Sequence, residues 1–254
     1  MMKRYWFFLL LIPLAACLPV STPSPEPTAS QTITPTASAT IEWFPPTATQ
    51  GTTPTVEVTP TPGIMAELGE VIFEDDFTSS EGWTVPQSDR GRISISNGEI
   101  NIIINDPGTF LVGTLEKPDV QDFYAEISAS PVLCSANDEY GFLFRVFGRN
   151  QYYRFALSCD GQVRLDRFSG ETGDILYPWT RSASVPVGAP SNSKISVLAV
   201  GDQIHIYING DPQFTVTDRQ LLVGSFGVFA RSVGDTAVTI SFSDLIVREV
   251  LPKE

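Results

Sequence analysis

From about Glu67 to Glu254 apolar and polar positions alternate in short runs separated by turn residues. Runs rich in Val, Ile, Phe, Tyr and Thr cover 71–77, 92–96, 99–104, 109–114, 122–130, 139–147, 151–158, 162–168, 194–200, 203–208, 213–217, 224–231 and 236–248. Each is bounded by Gly, Asn, Asp or Pro, the pattern of half-buried strands. Asn97-Gly98, Asp160-Gly161 and Asn209-Gly210 fall between neighbouring runs, and such dipeptides accept the positive φ of tight hairpin turns. No run shows a sustained 3.6-residue apolar period of helical length. The pattern predicts an all-β fold, a two-sheet jelly-roll sandwich, with a closed up-and-down barrel as the alternative.

Alternation also assigns faces. In Gln203–Asn209, Ile204, Ile206 and Ile208 point to the core, which leaves His205 half-exposed on the other side. Tyr140, Phe142 and Phe144 share one side of 139–147; Gly141, Leu143 and Arg145 share the other. Tyr153, Phe155 and Leu157, then Val163 and Leu165, continue the apolar side. The opposite side then presents Arg145, Tyr152, Arg154, Arg164 and Asp166, with Trp179 at its edge. Such a set suits sugars, since aromatic rings cover C–H faces and fixed charges hydrogen-bond hydroxyls. Its arginines also suit bidentate capture of a carboxylate or sulfate. The plainer reading is a cross-strand ladder of salt bridges on a solvated sheet.

The first 64 residues follow another pattern. Lys3 and Arg4 precede the apolar run Tyr5–Ala16, too short for a membrane span and of signal-peptide length. The run ends in Leu14-Ala15-Ala16-Cys17, which resembles a bacterial lipobox. The resemblance implies that 1–16 is a lipoprotein signal peptide and that Cys17 is lipidated, becoming the new N-terminus. Residues 17–64 read as a stalk. Positions 19–63 hold 10 Pro, 13 Thr and 4 Ser, with no Lys or Arg. Such a segment cannot bury enough apolar surface to offset its ordering entropy. It reads as a polyproline-biased spacer, either unmodified or O-glycosylated on threonine. The folded domain is expected over 65–254.

Composition narrows the function. The net charge is −13, which argues against nucleic acid as a partner. Loss of 1–16 leaves 14 Lys and Arg against 29 Asp and Glu, so lipid rather than surface charge would hold the chain to a membrane, as an extracytoplasmic monomer at the cell surface. A single histidine argues against a Ser-His-Asp enzyme or a multi-histidine metal site. In an exported chain Cys134 and Cys159 favour a disulfide over two buried thiols. Closing some 25 residues, it would contribute about 3–4 kcal/mol in the chain-entropy model. Direct pairing of the two flanking strands would set Glu139 opposite Cys159, so 134–138 must fold back to bring the sulfurs together.

Three stretches resemble the concanavalin A-like lectin/glucanase superfamily. Phe73-Glu74-Asp75-Asp76-Phe77 with Gly82-Trp83 is similar to the start of family 16 glycoside hydrolases. Tyr140-Gly141-Phe142-Leu143-Phe144-Arg145 followed by Tyr152-Tyr153-Arg154-Phe155 resembles laminin-G-like and 3-keto-disaccharide hydrolase-type domains. Gly224-Ser225-Phe226-Gly227-Val228-Phe229-Ala230 and Ser241-Phe242-Ser243-Asp244-Leu245-Ile246-Val247 resemble their last two strands. The resemblance implies a curved jelly roll that takes ligands on its concave sheet or rim. It also suggests a structural calcium between the first and last strands, with Asp76 and Asp244 as oxygen ligands; no other cofactor is implied. The Glu-x-Asp-x-x-Glu string of family 16 is absent. Asp138-Glu139 reads as a turn, and no catalytic residue is assigned. A carbohydrate-binding module, reading a cell-envelope or external glycan, is the leading expectation. A glycan-cleaving hydrolase and a protein-interaction module are the alternatives.

Overall fold

The computed structural model describes residues 67–251. The expected signal peptide, the lipidated Cys17 and the stalk lie outside the described residues. The strands are β1 (Glu67–Asp75), β2 (Trp83–Thr84), β3 (Gln87–Ser88), β4 (Gly91–Ser96), β5 (Glu99–Ile104), β6 (Phe110–Leu115), β7 (Phe123–Leu133), β8 (Glu139–Phe147), β9 (Gln151–Ser158), β10 (Gln162–Ser169), β11 (Gly173–Arg181), β12 (Ser193–Val200), β13 (Gln203–Ile208), β14 (Asp211–Thr217), β15 (Ser225–Arg231) and β16 (Val238–Leu251). They form two antiparallel sheets rather than a closed barrel. One has nine strands, ordered β14-β13-β12-β7-β16-β5-β4-β3 with β1 also on β16; the other has seven, ordered β11-β10-β9-β8-β15-β6-β2.

The apolar faces expected from alternation meet between the sheets. Ile204, Ile206 and Ile208 enter this core from one sheet; Tyr140, Phe142, Phe144, Phe155 and Leu157 enter it from the other. Phe226 binds the layers together: its ring stacks on Phe142 at 5.7 Å and meets Phe123 edge-on at 5.0 Å. The first motif has a local cause as well. Asp75 accepts the Phe77 amide at 2.8 Å and the Trp83 indole N–H at 2.7 Å, and this tethers β1 to β2. At the β8–β9 pairing a Cβ on Gly141 would stand 2.1 Å from the Phe155 carbonyl oxygen, so no larger residue fits that close approach.

Three strands escape the pattern. β2 and β3 have two residues each, too few for a period. β11 carries Pro178, which demotes a run in a sequence reading. It forms the edge of its sheet, where a missing N–H goes unused.

One face assignment and one exposure change. Arg145 does not lie with Gly141 and Leu143. It adopts φ +50° and is the extra residue of a bulge, where the pairing of β8 with both neighbours slips. The bulge puts Val146 on the outer side and buries the Arg145 side chain completely. Arg145 Nη1 donates to the Leu221 carbonyl at 3.0 Å, and Nη2 donates to those of Gln121 at 3.0 Å and Gly201 at 2.8 Å. Beside it the Tyr153 hydroxyl donates to Asp218 at 2.7 Å, and Asp218 also holds Arg167. His205 is buried rather than half-exposed. Its Nδ1 pairs with the Thr215 hydroxyl at 2.8 Å, and its Nε2 has no partner.

Arg145→Met is expected to cost at least about 3 kcal/mol in urea unfolding, because it strands carbonyl acceptors inside the fold. Burial holds the His205 pKa below its ordinary value. The unfolded chain therefore binds the proton more readily, and the stability that neutral His205 confers is present above about pH 6.5 and lost as pH falls through the folded-state pKa. His205→Gln should lose stability less steeply than the parent between about pH 7 and pH 5, as read by unfolding at several pH values.

Candidate functional site

The seven-stranded sheet carries a second, smaller apolar cluster on its outer face, made of Leu143, Val146, Tyr152, Ala156 and Phe229, with Val112, Phe168 and Trp179 packed against it. Pairing sets Phe229, Gly141, Ala156 and Arg164 side by side across four strands. Two small residues thus lie between two large ones, and all but Arg164 are buried beneath the outer-face side chains.

Charged residues cross this face. Arg154 donates through Nε and Nη2 to one Asp166 oxygen at 3.3 and 2.7 Å, and Arg164 donates through Nε to the other at 2.7 Å. The Arg154 guanidinium carbon lies 4.9 Å from the centre of the Phe168 ring, 5.5 Å from Phe229 and 5.9 Å from Phe110. Tyr152 stacks on Phe168 at 5.0 Å, and burial raises its hydroxyl pKa. Arg164 lies 5.8 Å from the Trp179 ring. The structure therefore brings together Tyr152, Arg154, Arg164, Asp166 and Trp179, and leaves Arg145 out. Only 8% of Arg154 and 1% of Asp166 are exposed, so the ladder of charges is a floor more than an open grip.

The accessible part lies to one end. A cleft of about 260 Å3 is lined by Asn137, Glu139, Ser158, Gln162, Trp179 and Val233. Glu139 was expected in a turn; instead it opens β8, opposite Ser158. Its side chain is buried, yet neither oxygen has a hydrogen bond: Oε1 stands 3.5 Å from Arg231 Nη1, and Oε2 stands 3.9 Å from Arg154 Nη1 with no partner. Sequence alone offered one signal for it, its phase with Gly141 and Leu143. The aromatic residues Phe110, Phe168 and Phe229 around Arg154 carried none.

The walls are tied down by the fold-back between β7 and β8. Cys134 and Cys159 are joined, with Cα atoms 6.1 Å apart. Asp138 is fully buried. Its Oδ1 accepts the amides of Val233 at 2.9 Å and Gly234 at 3.2 Å, its Oδ2 accepts that of Ser135 at 2.9 Å, and its carbonyl accepts that of Cys159 at 3.0 Å. One carboxylate thereby fixes both loops that flank Glu139. The chain enters at the other end of the sandwich, since Glu67 pairs with Leu251 while β16 leaves the Leu133 end of β7.

No group of three His, Cys, Asp or Glu side chains that could hold a metal occurs among the described residues. Asp76 and Asp244 follow the paired Asp75 and Leu245 in register. Each accepts a neighbouring hydroxyl, from Thr78 at 2.8 Å and Ser243 at 2.7 Å.

No protein-family model matches the sequence, and no curated protein matches it. Solved structures do. A carbohydrate-binding module, CBM66 from Bacillus subtilis, aligns at 15% identity and TM-score 0.55 over 66% of this chain and 96% of the module. A Bacillus subtilis protein described as having a galectin-like fold aligns at 13% identity and TM-score 0.59, over 74% of this chain and all of that one. The catalytic domain of an endo-1,3-beta-glucanase from Thermotoga petrophila aligns at 10% identity and TM-score 0.54, over 74% of this chain and all of that one. The fold is the two-sheet jelly roll that these structures share. These identities establish the architecture and leave function to the site.

Asp138→Ala removes the acceptor for amides from both flanking loops. It should lower the melting temperature by several degrees and raise amide hydrogen exchange at Ser135, Val233 and Gly234 above that of the core strands.

Proposed function

We propose that this jelly roll is a carbohydrate-binding module, displayed at the cell surface by a lipid on Cys17 and a Thr- and Pro-rich stalk. The observation that carries the reading is the cleft between Trp179 and Glu139. An aromatic ring, a buried carboxylate without a hydrogen-bonded partner, and the amide side chains of Asn137 and Gln162 converge on about 260 Å3. That combination suits a ring with an apolar C–H face and donor hydroxyls at its rim. The solved carbohydrate-binding module of the same fold supports the class of ligand.

Binding fits the site better than bond cleavage. Retaining hydrolysis uses a nucleophile and a general acid about 5–5.5 Å apart. Asp166 gives both oxygens to guanidinium donors, which leaves it neither free to attack nor ready to carry a proton. The Glu67 end, where the stalk would join, lies opposite the cleft, an arrangement that suits a ligand presented from beyond the membrane.

A glycan array probed with the full chain carrying Cys17→Ser should show selective binding. Trp179→Ala should reduce that binding at least about tenfold with the melting temperature little changed. Absence of binding across neutral and charged glycans would overturn the reading.

A further inference from the structure

Glu139 is exceptional among the buried carboxylates. Asp138, Asp166 and Asp218 are each hydrogen-bonded on both oxygens. Glu139 is 7% exposed and hydrogen-bonded on neither. Burying a carboxylate in that state costs stability unless something donates to it. Arg231 and Arg154 reach it only at ion-pair distances, 3.5 Å from Oε1 and 3.9 Å from Oε2; Oε2 is shut off from solvent, so Oε1 is the oxygen to which the cleft can bring a donor.

We infer that the cleft holds a single uncharged sugar residue whose hydroxyls donate to Glu139 while its C–H face lies on Trp179. This rests on the carbohydrate-binding reading and narrows it. An anionic residue, a uronate or a sulfated sugar, would bring its charge against the Glu139 carboxylate in a partly dry site. The arginines are already committed: Arg154 and Arg164 spend donors on Asp166, and Arg231 is ion-paired with Glu139 itself. A cationic amino sugar would meet Arg154 and Arg231 on either side of the same carboxylate. A neutral hydroxyl donor satisfies Glu139 without either repulsion. The aromatic lining sets the number of residues. Trp179 is the one aromatic residue in the lining, and one ring face stacks one sugar ring.

The test uses the full chain with Cys17→Ser and calorimetric titration. The probes are neutral gluco-, manno-, galacto- and fructo-oligosaccharides of increasing length, oligogalacturonate, heparin fragments and chitosan oligomers. A neutral series should bind, with affinity nearly constant from its shortest binding member upward. Glu139→Gln should weaken that binding about tenfold or more with the melting temperature little changed, since Arg154 keeps both of its hydrogen bonds to Asp166. A purely structural Glu139 would instead lose stability and spare affinity. Gln162→Ala, which leaves the carboxylate in place, should weaken binding by a smaller factor. Preference for the acidic or the cationic probes, or affinity that climbs steadily with chain length, would overturn the inference and leave carbohydrate binding standing. Failure of every probe would remove both.

Discussion

A two-sheet sandwich has open ends, where connecting loops carry backbone groups that no strand partner satisfies, and a buried group left unpaired costs about as much as a lost hydrogen bond. Two buried charged side chains of opposite sign meet this constraint here. At the end where β8 gives way to the β9 hairpin, Arg145 donates to carbonyls from three separate loops. At the other end Asp138 accepts side-chain hydrogen bonds from the amides of Ser135, Val233 and Gly234. A guanidinium offers five donors in a rigid fork and a carboxylate offers about four lone-pair sites. Each therefore does for its loops what several neutral side chains would otherwise have to do.

The cleft beside Glu139 follows from the second of these clamps. Asp138 is rigid because three amides and a disulfide surround it, and the next residue along the chain, Glu139, begins β8 with its side chain on the outer face. The position of Glu139 is thus fixed by its neighbour's hydrogen bonds and owes nothing to its own. A carboxylate held by the backbone of a clamped loop can remain unpartnered, whereas one on a free loop would swing out to water. The local cost fits a broader pattern in which binding sites keep polar groups that a purely structural surface would pair or discard.

Much of the architecture was legible in the sequence. Long strands with strict alternation, such as β13 and β9, announced both their existence and their inward faces, because a period of two has only two phases. The Cys134–Cys159 bridge was also legible, from two cysteines in a chain read as exported, and the fold-back it required came from their place on the hairpin. Register was less so: Ser158, rather than Cys159, stands opposite Glu139. The failures have one physical form. Alternation assumes an unbroken ladder, and Arg145 sits in a bulge that inserts one residue and reverses the phase after Phe144. Pro178 hid β11 because a missing N–H matters only where a neighbour needs it, and an edge strand has no neighbour there. His205 was placed on the correct face and given the wrong exposure, since burial on an outer face depends on the side chains of the paired strands, here Leu198 and Thr215.

The charges on the outer face illustrate why the two readings of the sequence were not exclusive. Arg154, Arg164 and Asp166 do form a salt-bridge ladder, and that ladder is what makes the face firm. Arg154 is enclosed by three aromatic rings and anchored to Asp166 through two donors, so its side-chain entropy has already been lost before any ligand arrives. Binding then orders fewer groups, which favours affinity without adding contacts. Trp179, half-buried against Arg164, gains from the same economy. A pre-formed floor of paired charges, an aromatic wall and one carboxylate without a hydrogen-bond donor are what the proposed sugar site would use, with recognition concentrated on Glu139.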